Sequence, residues 1–256
     1  MKTLLNYIIH QPTSPASSTP IILIHGLFGD LNNLGVLARD LKNHYITLQV
    51  DVRNHGDSFR SESMNYAEMA QDIIDLVTGL GYSKVILIGH SMGGKIAMAA
   101  SAIKPELIEN IVVIDMAPVA YQQHRHQHIF SALQAVLDNH ATSRQTAAAI
   151  MREYLSEESV IQFLLKSFRQ GEWKFNLPVL IQQYNNIIGW QQLPSWSGKI
   201  LFIPGGNSSY VKPEYRDIIA EQFPNASAWV VAGADHWVHA EKPETVLRAI
   251  HRFLAA

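Results

Sequence analysis

The sequence predicts an α/β fold: a mostly parallel central sheet of about eight strands with helices on both faces. Short β-branched runs alternate with longer helical patterns, which is typical of parallel sheets. The 256 residues are 47% hydrophobic and 16% charged, which is enough apolar material for one large core. Residues 118–198 contain no strand-like run, so a helical insertion interrupts the alternation.

Each predicted inner strand is a continuously apolar run, which is typical of strands buried on both faces. A weaker run at residues 4–9 predicts an edge strand. The inner runs are IILIH (21–25), YITLQVD (45–51), VILIG (85–89), IVVID (111–115), ILFIPG (200–205) and AWVVAG (228–233). Among the helices, one places Met69, Ile73, Leu76 and Leu80 on one face and ends near Gly81.

The insertion at 118–198 is long for a connection between a strand and a helix, and connections of that length are usually functional. We expect it to form a helical cap over the carboxyl ends of the strands, where open α/β sheets bind ligands. The predicted division is an α/β core of residues 1–117 and 199–256 and a cap of 118–198, inserted after strand 6.

Composition excludes several classes of function. The formal net charge is −2 and no long Lys/Arg run is present, so we expect no nucleic-acid partner. The chain has 0 cysteines, which excludes disulfides, a thiolate nucleophile and Cys-ligated zinc. No apolar run reaches the ~20 residues of a membrane helix, and the N-terminal one is too short for a signal peptide. We therefore expect a cytoplasmic protein; its oligomeric state is not predicted.

Three histidines, His124, His126 and His128, open the predicted cap and raise the question of a metal site. His124 and His128 would share one face of a helix. No nearby carboxylate completes a ligand set, so we favour an exposed segment and expect no metal and no cofactor. Arg125 is a candidate contact for an anionic substrate group.

The clearest motif is Gly89-His90-Ser91-Met92-Gly93, which follows a predicted strand and precedes a predicted helix. It matches the G-x-S-x-G nucleophile elbow, in which a sharp turn presents the serine above the sheet. Glycine at both ends lets neighbouring elements approach the turn. We predict that Ser91 is a nucleophile.

A serine hydroxyl becomes nucleophilic when an imidazole takes its proton. In elbow enzymes the histidine comes last in the chain, and the final predicted strand is followed by GADHWVHAEKP. We choose His236, in the loop just past the strand end. His239 is closer to the next helix and is assigned to packing.

The acid that orients the histidine is less obvious. It usually follows the strand before the histidine strand, but Asn207 and Ser208 stand there and the first carboxylate is Glu214. Asp115 instead ends the strand IVVID beside the nucleophile strand. We assign the acid to Asp115, which would accept the imidazole N–H and stabilise the imidazolium, with Glu214 as the alternative.

The oxyanion of an acyl-transfer intermediate needs preorganised N–H donors. One is usually the N–H after the nucleophile, here Met92, and the other comes from an early loop after a strand. The loop HGLFGD begins with His25 and supplies Leu27, our second donor, with Phe28 as the neighbour that remains open.

Together the motifs HGLFG, GHSMGG and GADHWVHAEKP resemble the α/β-hydrolase family over nearly the whole chain. More narrowly, HGLFGDLNNLGVLARDL, DVRNHGDS, NYAEMAQDI, GHSMGGK and IDMAPV resemble the YbfF-type bacterial esterases. That group has its acid at the end of the IDMAP strand, and a serine of GGNSSYV, here Ser208, near the histidine. The resemblance implies an esterase or thioesterase for small esters and acyl-CoA, without a metal.

The leading functional hypothesis is a carboxylesterase or thioesterase of class EC 3.1 that works through an acyl-enzyme with Ser91, Asp115 and His236. A lyase or C–C bond hydrolase on the same scaffold is the first alternative, because fold does not fix function and menaquinone-pathway synthases have a similar elbow. A non-catalytic, receptor-like binding protein is the second.

Overall fold

The computed structural model describes residues 4–122 and 126–255. The strands are β1 (Tyr7–His10), β2 (Ser17–Ile24), β3 (Tyr45–Val50), β4 (Val85–His90), β5 (Ile108–Ile114), β6 (Phe168–Arg169), β7 (Glu172–Trp173), β8 (Lys199–Ile203) and β9 (Ala226–Ala228). Seven of them form the central sheet, in the order β1-β3-β2-β4-β5-β8-β9. Only the β1–β3 pair of this sheet is antiparallel. The mostly parallel α/β sheet predicted from sequence is therefore confirmed.

The helices are α1 (Gly35–Leu41), α2 (Tyr66–Gly79), α3 (Met92–Ile103), α4 (Gln127–Asp138), α5 (Arg144–Met151), α6 (Glu158–Leu165), α7 (Leu177–Gln182), α8 (Tyr184–Ile188), α9 (Arg216–Gln222), α10 (Val238–Glu241) and α11 (Pro243–Leu254). The side chain of Asn65 caps α2 by accepting the Glu68 N–H at 3.0 Å. Throughout the described ranges, no helix is both long and apolar enough to cross a bilayer.

Alternate residues of the inner strands enter two different apolar clusters. Ile22 and Ile24 of β2 pack in the cluster that contains α2 and α3, whereas Ile21 and Leu23 pack against α1 and α11. Because successive side chains of a strand point to opposite faces, an all-apolar strand is stable only with helices on both sides. The apolar runs in the sequence therefore arise because both faces of the inner strands are covered by helices.

Two details of the strand predictions are wrong. The described sheet has seven strands, close to the expected eight, but the insertion follows β5 rather than a sixth strand, because among the described residues only one strand, β1, precedes β2 in the chain. The last strand is Ala226–Ala228 and not 228–233. Beyond it only Val231 makes an isolated bridge, to Gly205, since Pro204 has no N–H to continue the ladder.

Residues 118–198 contain α4 to α8 and the short β6–β7 hairpin. They contact the core near the carboxyl ends of the strands, through bonds such as the Ser167 hydroxyl to the Phe28 carbonyl and the Asn176 N–H to the Asn54 carbonyl, both at 2.8 Å. Their assignment as a separate cap domain, with a core of 1–117 and 199–256, stays a prediction.

Candidate active site

Ser91 lies at the junction of β4 and α3, with its backbone in the left-handed region at φ 54°. Close packing explains the two glycines around it. A Cβ on Gly89 would approach the Gly93 carbonyl oxygen to 2.1 Å, and a Cβ on Gly93 would approach the Ile24 oxygen to 2.1 Å. Any larger residue would force β4, α3 and β2 apart. The turn therefore holds the serine in a conformation that side chains rarely adopt.

His236 joins Ser91 to Asp115 by two hydrogen bonds. Its Nε2 lies 3.0 Å from the Ser91 hydroxyl oxygen, and its Nδ1 lies 2.7 Å from Oδ2 of Asp115. The imidazole is 14% exposed, whereas the carboxylate is fully buried. Because a buried carboxylate accepts the Nδ1 proton, Nε2 is left to accept a proton from the hydroxyl.

Asp115 follows the last residue of β5 and has a φ of 50°. Its Oδ1 accepts the backbone N–H of Gly205 at 3.0 Å, and its Oδ2 also accepts the Ser208 hydroxyl at 2.5 Å. These two donors fix the orientation of the carboxylate. The alternative acid, Glu214, lies elsewhere and pairs with Lys212 at 3.4 Å.

Two neighbours of His236 were not singled out from sequence. The Tyr210 ring stacks on the imidazole, with centroids 3.9 Å apart and planes 21° from parallel. His90 donates from Nε2 to the His236 carbonyl at 2.9 Å. Burial and the nearby His239 and His236 lower the pKa of His90 well below its usual value, so the ring is neutral. Tyr210 and His90 fix the loop and the plane of His236.

His239 is buried, as the packing assignment requires, and its ring lies 4.4 Å from that of His90. Burial lowers its pKa to about 3, and the neighbouring His236 and Lys166 act in the same direction. Among the described residues, its Nδ1 has no hydrogen-bond partner. It does not reach Ser91 and serves as packing behind His90.

The loop after β2 carries the two candidate oxyanion donors that sequence left open. The Phe28 N–H donates to Nε2 of His55 at 3.2 Å, so it is already used. Within the described part of the chain, the N–H groups of Leu27 and Met92 donate to no protein atom, and both residues line a cavity with Ser91. This geometry favours Leu27 over Phe28 as the partner of Met92.

Two neutral histidines hold that loop. His25 donates from Nδ1 to the Gly26 carbonyl at 2.8 Å and accepts the Val52 N–H on Nε2 at 3.0 Å. His55 donates to the Arg53 carbonyl at 3.0 Å and accepts from Phe28. Burial lowers the pKa of both rings, and these bonds require the neutral tautomer with the proton on Nδ1. His55 was not identified from sequence.

Ser91 borders two cavities. The inner cavity is narrow, with about 30 Å³ accessible to water, and its wall contains Leu27, Met92, Lys95, Tyr66 and Tyr121. The outer cavity is larger, about 250 Å³, and its wall includes the exposed residues Glu157, Ser209 and Asp235. A bound molecule can therefore extend to both sides of the serine.

The histidine cluster of 124–128 falls partly outside the described residues, as do His124 and the candidate anion contact Arg125. His126 is described, and its Nδ1 lies 2.6 Å from the Tyr184 hydroxyl. In the ranges that are described, no three His, Cys, Asp or Glu side chains are grouped as metal ligands.

A family model described as the alpha/beta hydrolase fold matches residues 19–243, which is most of the sequence. The chain belongs to the α/β-hydrolase family. Within this family it is 57% identical over 250 residues to a protein named esterase YbfF from Escherichia coli strain K12, and the match covers 98% of both chains.

The chain is also similar to more distant proteins that are named as a lipase and an esterase. The chain is 36% identical over 262 residues to the sn-1-specific diacylglycerol lipase ABHD11 of Mus musculus, covering 98% of this chain and 84% of that relative. A solved structure described as a marine microorganism esterase matches with a TM-score of 0.92 at 28% identity, covering 98% of this chain and 100% of the other. The resemblance stated from the motifs is confirmed.

Proposed function

We propose that this chain is a serine hydrolase that cleaves small carboxylic esters through an acyl-enzyme. The observation that carries the proposal is the hydrogen-bonded chain from Ser91 through His236 to buried Asp115. It lies beside the N–H groups of Leu27 and Met92, which have no partner among the described residues. The named activity of its esterase relatives supports the same reaction class. A non-catalytic binding protein has no need of this arrangement.

In the first half-reaction, the Ser91 oxygen attacks the ester carbonyl carbon while Nε2 of His236 takes the hydroxyl proton. The N–H groups of Leu27 and Met92 donate to the oxyanion that forms, and Asp115 stabilises the imidazolium. The carbon–oxygen bond to the alcohol then breaks, and His236 returns its proton to the leaving oxygen. The acyl group remains on Ser91.

In the second half-reaction, a water molecule attacks the acyl carbon and gives a proton to His236. The bond between the acyl carbon and the Ser91 oxygen breaks, and His236 returns the proton to the serine. The products are a carboxylic acid and an alcohol, and the protein is restored without any cofactor. The same steps cleave a thioester, with a thiol as leaving group, so acyl-CoA is a second substrate class in this proposal.

Positioning roles follow from the contacts. Ser208 orients Asp115, His25 and His55 hold the oxyanion loop, and Tyr210 holds the imidazole plane. The segment 118–198 acts as the cap that forms the far wall of the inner cavity. Cytoplasmic location also belongs to this proposal, since an acyl-CoA substrate would be met there.

The test is Ser91→Ala. Hydrolysis of p-nitrophenyl acetate and butyrate should fall by about 10⁴-fold or more, because the acyl-enzyme cannot form. The melting temperature should be little changed, and a fluorophosphonate probe should label the native chain but not the variant. Substantial ester hydrolysis by a folded Ser91→Ala protein would disprove the mechanism.

The C–C bond hydrolase alternative is tested beside it with a 1,3-diketone substrate. The ester reaction should exceed diketone cleavage by the native chain. Faster cleavage of the diketone would reassign the chemistry while keeping the same three side chains.

A further inference from the structure

Lys95 is a charged residue in a place that destabilises charge. It is 1% exposed and lies four residues after Ser91, in the first turns of α3. A helix N-terminus disfavours a cation, and burial removes its hydration. Among the described residues, no carboxylate lies within ion-pair distance of its ammonium, and burial lowers its pKa to about 7. Apolar side chains would fill this space at lower cost, so folding alone does not account for the residue.

The surroundings of the Lys95 nitrogen leave it able to bind one more group. It donates to the carbonyls of Ile188 and Gly189 at 3.2 and 2.8 Å, at the end of α8. The rings of Tyr66 and Tyr121 lie 5.4 and 4.7 Å from it. An ammonium has three N–H donors, and two are used by the carbonyls. Oriented carbonyls and ring faces stabilise a cation but leave its charge without a counter-ion.

Lys95 and Ser91 line the same inner cavity, as do the two tyrosine rings that contact the ammonium. Ser91 faces this space from the turn before α3, and Lys95 faces it from the first turn of α3. An acyl group on Ser91 that extends into the inner cavity therefore points its far end toward the Lys95 ammonium. The outer cavity, with Glu157 and Asp235 in its wall, has the opposite charge.

We propose that Lys95 is a specificity-determining residue that binds a carboxylate at the far end of the acyl group. The preferred substrates are then monoesters of short dicarboxylic acids, with the alcohol in the outer cavity. This inference rests on the proposed ester hydrolysis at Ser91 and names the acyl class that the same site selects. The substrate carboxylate would supply the counter-ion that the fold does not provide.

The charge of Lys95 makes the preference depend on pH. A carboxylate binds the ammonium and not the neutral amine, so preference is present at low pH and lost as pH rises through the lysine pKa. The titratable groups around the cavity are Tyr66 of α2, Tyr121, Tyr210, and His126 and Tyr184 of the helical segment. Burial raises the pKa of Tyr66 and Tyr121, so these phenols stay neutral across the range.

The experiment compares kcat/KM for the p-nitrophenyl monoesters of succinate, glutarate and adipate with neutral p-nitrophenyl butyrate, pentanoate and hexanoate. Wild type should favour at least one anionic ester over the neutral ester of equal acyl length at pH 6, and the ratio should fall toward pH 9. The ratio cancels ionisations that both reactions share, such as that of His236. Lys95→Met should lower the ratio at pH 6 by about 10- to 100-fold, the effect of losing a hydrogen bond to a charged group.

Lys84→Met is the matched control, because Lys84 is an exposed lysine before β4 and its loss changes net charge equally. It should leave the ratio unchanged. Equal losses on both ester classes in Lys95→Met would mean that Lys95 only holds α8, and would overturn the inference. So would a wild-type enzyme without preference for any anionic ester.

A measurement on wild type alone covers the case in which the variant does not fold. Glutarate should inhibit hydrolysis of the neutral ester competitively and more strongly than pentanoate at pH 6, with the difference lost at pH 9. Equal inhibition by the two acids at pH 6 would overturn the inference. Absence of hydrolysis of every ester would instead remove the proposed function on which it rests.

Discussion

The two sides of the candidate active site are built differently. The core side consists of Ser91, Asp115, His236 and the loop of Leu27, and buried hydrogen bonds to strand ends hold nearly every group. The helical side is formed by residues 184–190, and few polar contacts join it to the core. The core side holds the reacting groups in fixed positions. The helical side forms part of the wall of the inner cavity and accepts hydrogen bonds from Lys95. Substitutions that disturb Ser91, Asp115 or His236 should therefore lower the rate, whereas substrate choice should depend on the inner cavity, where Lys95 of α3 meets the helical side.

The largest effect that separates the two sides, after loss of Ser91 itself, is expected for Asp115→Asn. The amide cannot hold the imidazole in the tautomer that accepts the serine proton, so kcat should fall by about 10⁴-fold, as in other Ser-His-Asp enzymes. Steady-state kinetics with p-nitrophenyl butyrate measures it. Glu214→Gln is the control and should change kcat less than about twofold, since a surface substitution of this kind is usually near neutral. A reversed result would transfer the orienting role to Glu214.

A smaller effect on the same side is expected for His55→Phe. The ring volume is retained, but the Phe28 N–H loses its acceptor, so the loop of Leu27 is no longer fixed. A displaced oxyanion donor should lower kcat by about 10- to 100-fold with little change in KM.

The matched variant is His55→Gln, whose side-chain oxygen can accept the same N–H and should restore part of kcat. His10→Phe, on the edge strand β1, controls for loss of a histidine far from the loop. If His55→Phe raised KM and left kcat intact, the loop would belong to substrate binding instead.

The smallest effect is expected where the helical side meets the core, for Tyr66→Phe. The Tyr66 hydroxyl donates to the Ile187 carbonyl at 2.5 Å and joins α2 to α8. Its removal should lower the free energy of unfolding by about 1 kcal/mol and raise KM by up to about fivefold, with a smaller change in kcat. Urea unfolding and ester kinetics measure both. Tyr154→Phe, at an exposed tyrosine that follows α5, should change neither. A loss of kcat larger than that of His55→Phe would remove the distinction between the two sides.

Local patterns in the sequence predict much of this fold. The inner strands were predictable because each is mostly apolar and ends at a glycine or a polar residue, and the parallel sheet follows from their alternation with helices. The last strand was misplaced because AWVVAG is apolar but lies at the sheet edge, where Val230 is 62% exposed and Pro204 limits pairing. An apolar run does not indicate how many neighbouring strands will pair with it, so it cannot distinguish an edge strand from an inner one.

The sequence predicted the residues of the candidate site that directly follow a strand. Ser91, Asp115 and His236 all follow strands, so parallel topology places them at one edge, although 121 residues separate Asp115 from His236. The sequence could not decide whether Leu27 or Phe28 is the second oxyanion donor, because the Phe28 N–H is occupied by the imidazole of His55, 27 residues away. Lys95 stood in the quoted motif GHSMGGK, but its burial depends on Ile188 and Gly189, which no local pattern links to α3.

The position of Ser91 between two spaces has a consequence for the order in which products depart. On the proposed mechanism the alcohol occupies the outer cavity, which is bounded in part by exposed residues, and it can diffuse away while the acyl chain stays bound. Water then enters along the path just vacated. The acid forms in the inner space and leaves last, so the alcohol should act as a noncompetitive product inhibitor and the acid as a competitive one.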